Sequence, residues 1–150
     1  ESGSNLQIWF EPGKYLVSEC GFMLAEVTVL KDTGTIEFAA VNSGLNHLIR
    51  PMMYDAYHHI VNLSNPTGKS KRYTVTGNIC ETDTFASNRE LNKIREGDIL
   101  AFYNAGAYGF EMASNYNSRF KPAEVMIIDG KPHLIRKRDN MEDLLRNQIY

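Results

Sequence analysis

Short apolar segments, some alternating polar and apolar residues with a period of two, are set off at close intervals by glycine, proline and asparagine. These segments are rich in valine, isoleucine, tyrosine, phenylalanine and threonine, side chains that suit a pleated, half-buried surface. Residues 27–31 and 35–41 flank Asp32-Thr33-Gly34, whose glycine can take the positive φ of a short hairpin turn. Further strands are predicted over 73–77, over 99–103 after Glu96-Gly97-Asp98, and over 125–128 and 133–136 on either side of Asp129-Gly130. At least five strands in one domain predict a mainly β fold, an antiparallel barrel or sandwich, closed or nearly closed. Residues 6–10 form one more short apolar run, read as a strand that ends at the Glu11-Pro12-Gly13 turn.

Helix signals are few. Near the C-terminus Asn140 is placed to cap a helix, Glu142 and Asp143 fall in its first turn, and Leu144, Leu145 and Ile149 line one face. Residues 62–72, with Pro66, Gly68 and three basic residues, show no periodicity and read as a solvated loop. No internal repeat is visible.

A length of 150 residues suits one domain with a full core. The formal net charge of -2 lacks the basic excess that would neutralise a nucleic-acid backbone. The longest apolar runs fall far short of the roughly 20 residues of a membrane span, and residues 1–10 lack the pattern of a secretory signal. A cytoplasmic protein is therefore expected, with Cys20 and Cys80 as free thiols.

Several residues are candidates for chemistry, each with a plainer structural reading beside it. Glu11 is either an exposed glutamate before an ordinary Pro-Gly turn or a carboxylate presented to a ligand, with Gly13 allowing close backbone approach. Arg50 and Tyr54 lie four residues apart around Pro51, in a loop or first helical turn, where they either converge on one anion or form a surface arginine beside a packed tyrosine. Cys80 is either a small buried hydrophobe or a thiol in the polar company of Glu81, Thr82 and Asp83. Tyr108 sits among small residues in Ala105-Gly106-Ala107-Tyr108-Gly109, either as a core tyrosine at a strand bend or as a phenol donating to a phosphate. His58 and His59 are adjacent, so on a strand they face opposite sides, and no Cys or His stands at metal-ligand spacing. No metal is assigned. Neither a Gly-rich nucleotide loop nor a Gly-x-Ser-x-Gly elbow is present.

Taken together, Glu11-Pro12-Gly13-Lys14, Ile49-Arg50-Pro51, Tyr54-Asp55-Ala56-Tyr57-His58, Cys80-Glu81-Thr82-Asp83 and Ala105-Gly106-Ala107-Tyr108-Gly109, continued by Met112-Ala113-Ser114-Asn115-Tyr116-Asn117, resemble the C-terminal part of diaminopimelate decarboxylases. These are pyridoxal 5'-phosphate enzymes of the alanine-racemase-like fold group, and the resemblance covers residues 10–124. It implies that residues 1–14 are the last strand and turn of an upstream α/β barrel and that 15–150 are the C-terminal β-domain. The barrel, with its cofactor-bearing lysine, is expected upstream of Glu1, so this chain alone is expected to be inactive. By resemblance Glu11, Gly13, Lys14 and Tyr108 serve the cofactor. Lys14, Arg50, Tyr54, Glu81 and Tyr108 serve the substrate, meso-diaminopimelate, which is converted to L-lysine. Cys80 is implied as a proton donor in the site of a neighbouring subunit, hence a homodimer with shared sites. Lys14 departs from the usual arginine, keeping the charge and losing the fork geometry. Two alternatives stand beside this reading: a decarboxylase of carboxynorspermidine, ornithine or arginine, and a free-standing dimerisation or binding domain.

Overall fold

A computed structural model describes residues 5–149. Among these residues are eight strands: β1 (Met23–Asp32), β2 (Glu37–Val41), β3 (Ile60–Asn62), β4 (Ser70–Thr76), β5 (Thr84–Asn92), β6 (Ile99–Phe102), β7 (Glu124–Ile128) and β8 (Lys131–Arg136). The first six form one sheet in the order β3-β6-β1-β2-β4-β5, and β7 and β8 form a separate hairpin. All pairings are antiparallel except β2 with β4, a correction to the wholly antiparallel arrangement expected. The segment between β2 and β4, which carries a helix and β3, is long enough for the crossover that a parallel pair needs.

The sheet curls into a nearly closed barrel, and side chains tie its two edge strands together. Arg89 Nη1 of β5 donates to the carbonyl of His58 just before β3, at 3.0 Å. Asn62 Nδ2, at the end of β3, donates to the carbonyl of Lys93 just after β5, at 3.1 Å. Inside, Ala25 and Val27 of β1 meet Ala39 and Val41 of β2, Tyr73 and Val75 of β4, Phe85 and Leu91 of β5, and Leu100 and Phe102 of β6. The period-two pattern puts these positions on one face of each strand. Tyr73 is 1% exposed, and its buried hydroxyl is satisfied by the backbone N–H of Ile94 at 3.0 Å.

The hairpin over 124–136 forms where expected, with Asp129 and Gly130 both at positive φ (50° and 74°), the geometry that matches the twist of two strands joined by a two-residue turn. Among the described residues three short α-helices accompany the strands, besides three 3-10 turns: α1 (Gly13–Val17), α2 (Arg50–Tyr54) and α3 (Met141–Leu145). Asn140 caps α3 in a reciprocal box with Asp143.

Two expectations need correcting. The apolar run at 6–10 is not a strand: it belongs to no element, and Leu6, Ile8, Trp9 and Phe10 are all exposed. A lone strand has no ladder partner to satisfy its backbone, and none of the described strands lies beside this one. The loop expected over 62–72 is shorter, because Asn62 ends β3 and β4 begins at Ser70. Among the described residues no helix is long and apolar enough to cross a membrane.

Candidate active site

Three segments converge on one side of the barrel. The chain from α1 through Gly21 lies directly on the loop that begins at Asn104: Ala105 N–H donates to Gly21 O at 2.8 Å and Gly106 N–H to Ser18 O at 3.0 Å. The approach is closer than any side chain would allow, since a Cβ on Gly106 would stand 2.0 Å from the carbonyl oxygen of Val17. Glycine is therefore required where α1 meets this loop. The third segment is α2, which starts at Arg50 with Pro51 in its first turn and ends at Asp55, in the left-handed conformation with φ 51°.

Between these segments lies an open cleft of about 390 Å³, lined by Lys14, Arg50, Tyr54, Tyr57, His58 and Asn104. The Arg50 guanidinium stands over the rings of Tyr54 and Tyr108, each 5.6 Å away. Tyr108 itself is held at φ 58°, left-handed and uncommon for an aromatic residue. Arg50 Nε is buried and has no hydrogen-bond partner among the described residues. A buried donor without an acceptor is costly, so this nitrogen calls for an anionic or polar ligand. Two cations, two phenols and an unspent guanidinium donor fit a carboxylate or a phosphate group.

Cys80 and Glu81 lie elsewhere, on the exposed loop between β4 and β5, and do not line the cleft. Cys80 Sγ donates to Glu81 Oε2 at 3.6 Å, and the Tyr116 hydroxyl donates to Glu81 Oε1. The Tyr116 hydrogen bond holds the Glu81 carboxyl below its ordinary value, so it is a carboxylate at neutral pH, and the same bond raises the phenol. The loop is braced from inside by Asp83, whose carboxylate accepts from the backbone N–H of Ile79 at 2.9 Å and of Leu45 at 2.7 Å. Burial pushes the Asp83 carboxyl up despite these bonds.

The structure thus brings Lys14, Arg50, Tyr54 and Tyr108 together and sets Cys80 and Glu81 apart as a second group. Glu11 and Gly13 are exposed and are not among the residues that line the cleft. Cys20 and Cys80 are both free and exposed. Sequence reasoning passed over Tyr116, Asn104, Tyr57 and Asp83 as site residues. Tyr57 was legible from its neighbours Tyr54 and His58, whereas Tyr116 meets Glu81 across 35 positions and leaves no local signal.

Residues 14–106 match the family described as pyridoxal-dependent decarboxylase, C-terminal sheet domain. A protein of Methanothermobacter thermautotrophicus named diaminopimelate decarboxylase is 46% identical over 140 residues, 92% of this chain and 32% of the relative. The crystal structure of diaminopimelate decarboxylase from Methanocaldococcus jannaschii in complex with L-lysine superposes with a TM-score of 0.88 at 38% identity, covering 93% of this chain and 32% of that one. A lysine/ornithine decarboxylase of Vibrio vulnificus, solved with cadaverine, shares the fold at a TM-score of 0.62 and 20% identity. The chain spans about a third of the length of the curated relatives it matches. With its curled six-stranded sheet and the matched residues running from the cleft lysine to the glycine under α1, the chain belongs to the pyridoxal-dependent decarboxylases, in the family of their C-terminal sheet domain.

Proposed function

We propose that this chain is the C-terminal domain of a diaminopimelate decarboxylase, converting meso-diaminopimelate to L-lysine and carbon dioxide in the cytoplasm. Residues 1–14 are then the end of an upstream barrel and 15–150 the β-domain. The observation that carries this reading is Arg50, flanked by two phenols with its Nε unspent in a cleft it shares with Lys14. Such a site suits a substrate whose far end is a carboxylate. Ornithine and arginine end in a cation, which Arg50 and Lys14 would repel.

Pyridoxal phosphate, when bound, supplies the electron sink for the charge left as carbon dioxide departs. Around it, Glu11 would offer a carboxylate to the ring nitrogen, Gly13 would leave room for close approach, and Lys14 and Tyr108 would hold the phosphate. Arg50 and Tyr54 orient the distal carboxylate of the substrate. Cys80 and Glu81 complete the site of a second subunit in a homodimer: the thiol delivers a proton to the substrate carbon, and the carboxylate holds the distal amine. Their exposure and their separation from the cleft of their own chain support this division. Tyr116 keeps Glu81 oriented and ionised.

Arg50→Ala in the full-length enzyme tests the reading. Loss of hydrogen bonds to a charged group predicts a KM for meso-diaminopimelate raised by about tenfold or more. An unchanged KM would contradict the assignment.

A further inference from the structure

His58 is 2% exposed and lines the cleft beside Arg50. Its Nδ1 lies 2.8 Å from the carbonyl oxygen of Tyr103, which can only accept, so Nδ1 carries the proton and donates. Burial, with Arg50 and Lys14 nearby, holds the imidazole below its ordinary value, and at neutral pH it is therefore uncharged. Nε2 then has a lone pair to offer, and it is buried without a hydrogen-bond partner among the described residues. The residue is fixed from its other side too, because Arg89, stacked on Tyr57 at 4.1 Å, donates to the His58 carbonyl at 3.0 Å.

One wall of the cleft therefore offers cationic donors and, beside them, a neutral acceptor. A plain anion uses the first and leaves the second unpaired at a cost. An amino-acid end uses both, its carboxylate meeting Arg50 and its ammonium group donating to the imidazole. We propose that His58 is a specificity-determining residue whose Nε2 accepts a hydrogen bond from the ammonium group of the amino-acid end that Arg50 holds, so that the cleft recognises a zwitterion. This rests on the reading of the cleft given above and deepens it. An ammonium has three N–H bonds, so Glu81 of a second subunit and His58 can share it.

The test compares two competitive inhibitors of the full-length holoenzyme. L-lysine carries the complete zwitterionic end, and 6-aminohexanoate keeps the carboxylate and the remote amine but lacks the α-ammonium. His58→Asn preserves the donor to Tyr103 O and deletes the Nε2 acceptor. The inhibition constant for L-lysine is expected to rise by about tenfold, the size of one hydrogen bond to a charged group, and that for 6-aminohexanoate to stay unchanged. Equal change in both constants, or in neither, overturns the proposal. Arg50→Ala separates the two levels: it weakens both inhibitors if the cleft reading is right. Should it weaken neither, that reading fails and the proposal with it. Independently of any variant, imidazole nitrogen NMR of the wild-type full-length holoenzyme at neutral pH should show His58 with a protonated Nδ1 and a bare Nε2 that responds to L-lysine and not to 6-aminohexanoate. A doubly protonated ring, or equal response to both, overturns it.

Discussion

Histidine burial gives the molecule a pH-dependence that can be assigned to named atoms. His47 donates from Nε2 to the carbonyl of Phe120 at 2.9 Å and accepts at Nδ1 from the Ser43 hydroxyl, also at 2.9 Å. Burial lowers its pKa from 6.5, as it does for His58, and Arg138 and Arg119 act in the same direction on His47. Because the folded pKa lies below the unfolded one, the unfolded chain binds protons first as pH falls. Stability is then fully present above 6.5 and declines as pH falls from there through the folded values. His47→Gln keeps a donor for Phe120 O and cannot titrate, so denaturant unfolding of this variant should lose stability less steeply than wild type between about pH 7 and pH 5. Identical slopes would show that His47 does not carry the effect. At this scale the sequence disclosed Arg50 with Tyr54, because four residues across Pro51 is a local pattern. His58 was visible as one of two adjacent histidines and as the end of a resembling block, with no role assigned to it, and its role depends on the carbonyl of Tyr103, 45 positions away.

Among the elements, the contact of α1 with the loop after β6 decides whether Lys14 reaches the cleft. Gly106→Ala would drive a methyl group to 2.0 Å from Val17 O and 2.8 Å from Gly21 N, both backbone atoms that cannot rotate away. The variant should lose about 1–3 kcal/mol in denaturant melts and show faster amide exchange over Gly13–Val17. Wild-type exchange over α1 in the variant would mean that another contact positions Lys14. Strands with β-branched residues around a glycine turn were legible, as in the hairpin of β7 and β8. Strand β5 was not, because Thr84–Asn92 carries Ser87, Asn88, Arg89, Glu90 and Asn92 and is held by pairing with β4 rather than by its own propensity. Its register with β4 shifts twice, and Asn88 lies at φ 49°, so even its alternation is broken. The run at 6–10 failed in the opposite sense, having strand composition without a partner strand.

The whole molecule leaves much apolar surface in water. Trp9 is 86% exposed, Phe10 80% and Ile127 65%, with Val125, Leu134 and Ile135 of the same hairpin exposed beside it. Exposed apolar residues in such number suit contact surfaces, which the proposed upstream barrel and second subunit would cover. The central claim is that this β-domain serves a decarboxylase whose substrate ends in an amino-acid group. The measurement that tests it most directly is carbon dioxide release by the full-length protein supplied with pyridoxal phosphate and, separately, meso-diaminopimelate, ornithine, arginine or carboxynorspermidine, with the 150-residue chain as control. The account predicts a kcat/KM for meso-diaminopimelate far above that for the other three, and no release by the chain alone. Comparable turnover of ornithine or arginine, or release by the chain alone, would contradict it.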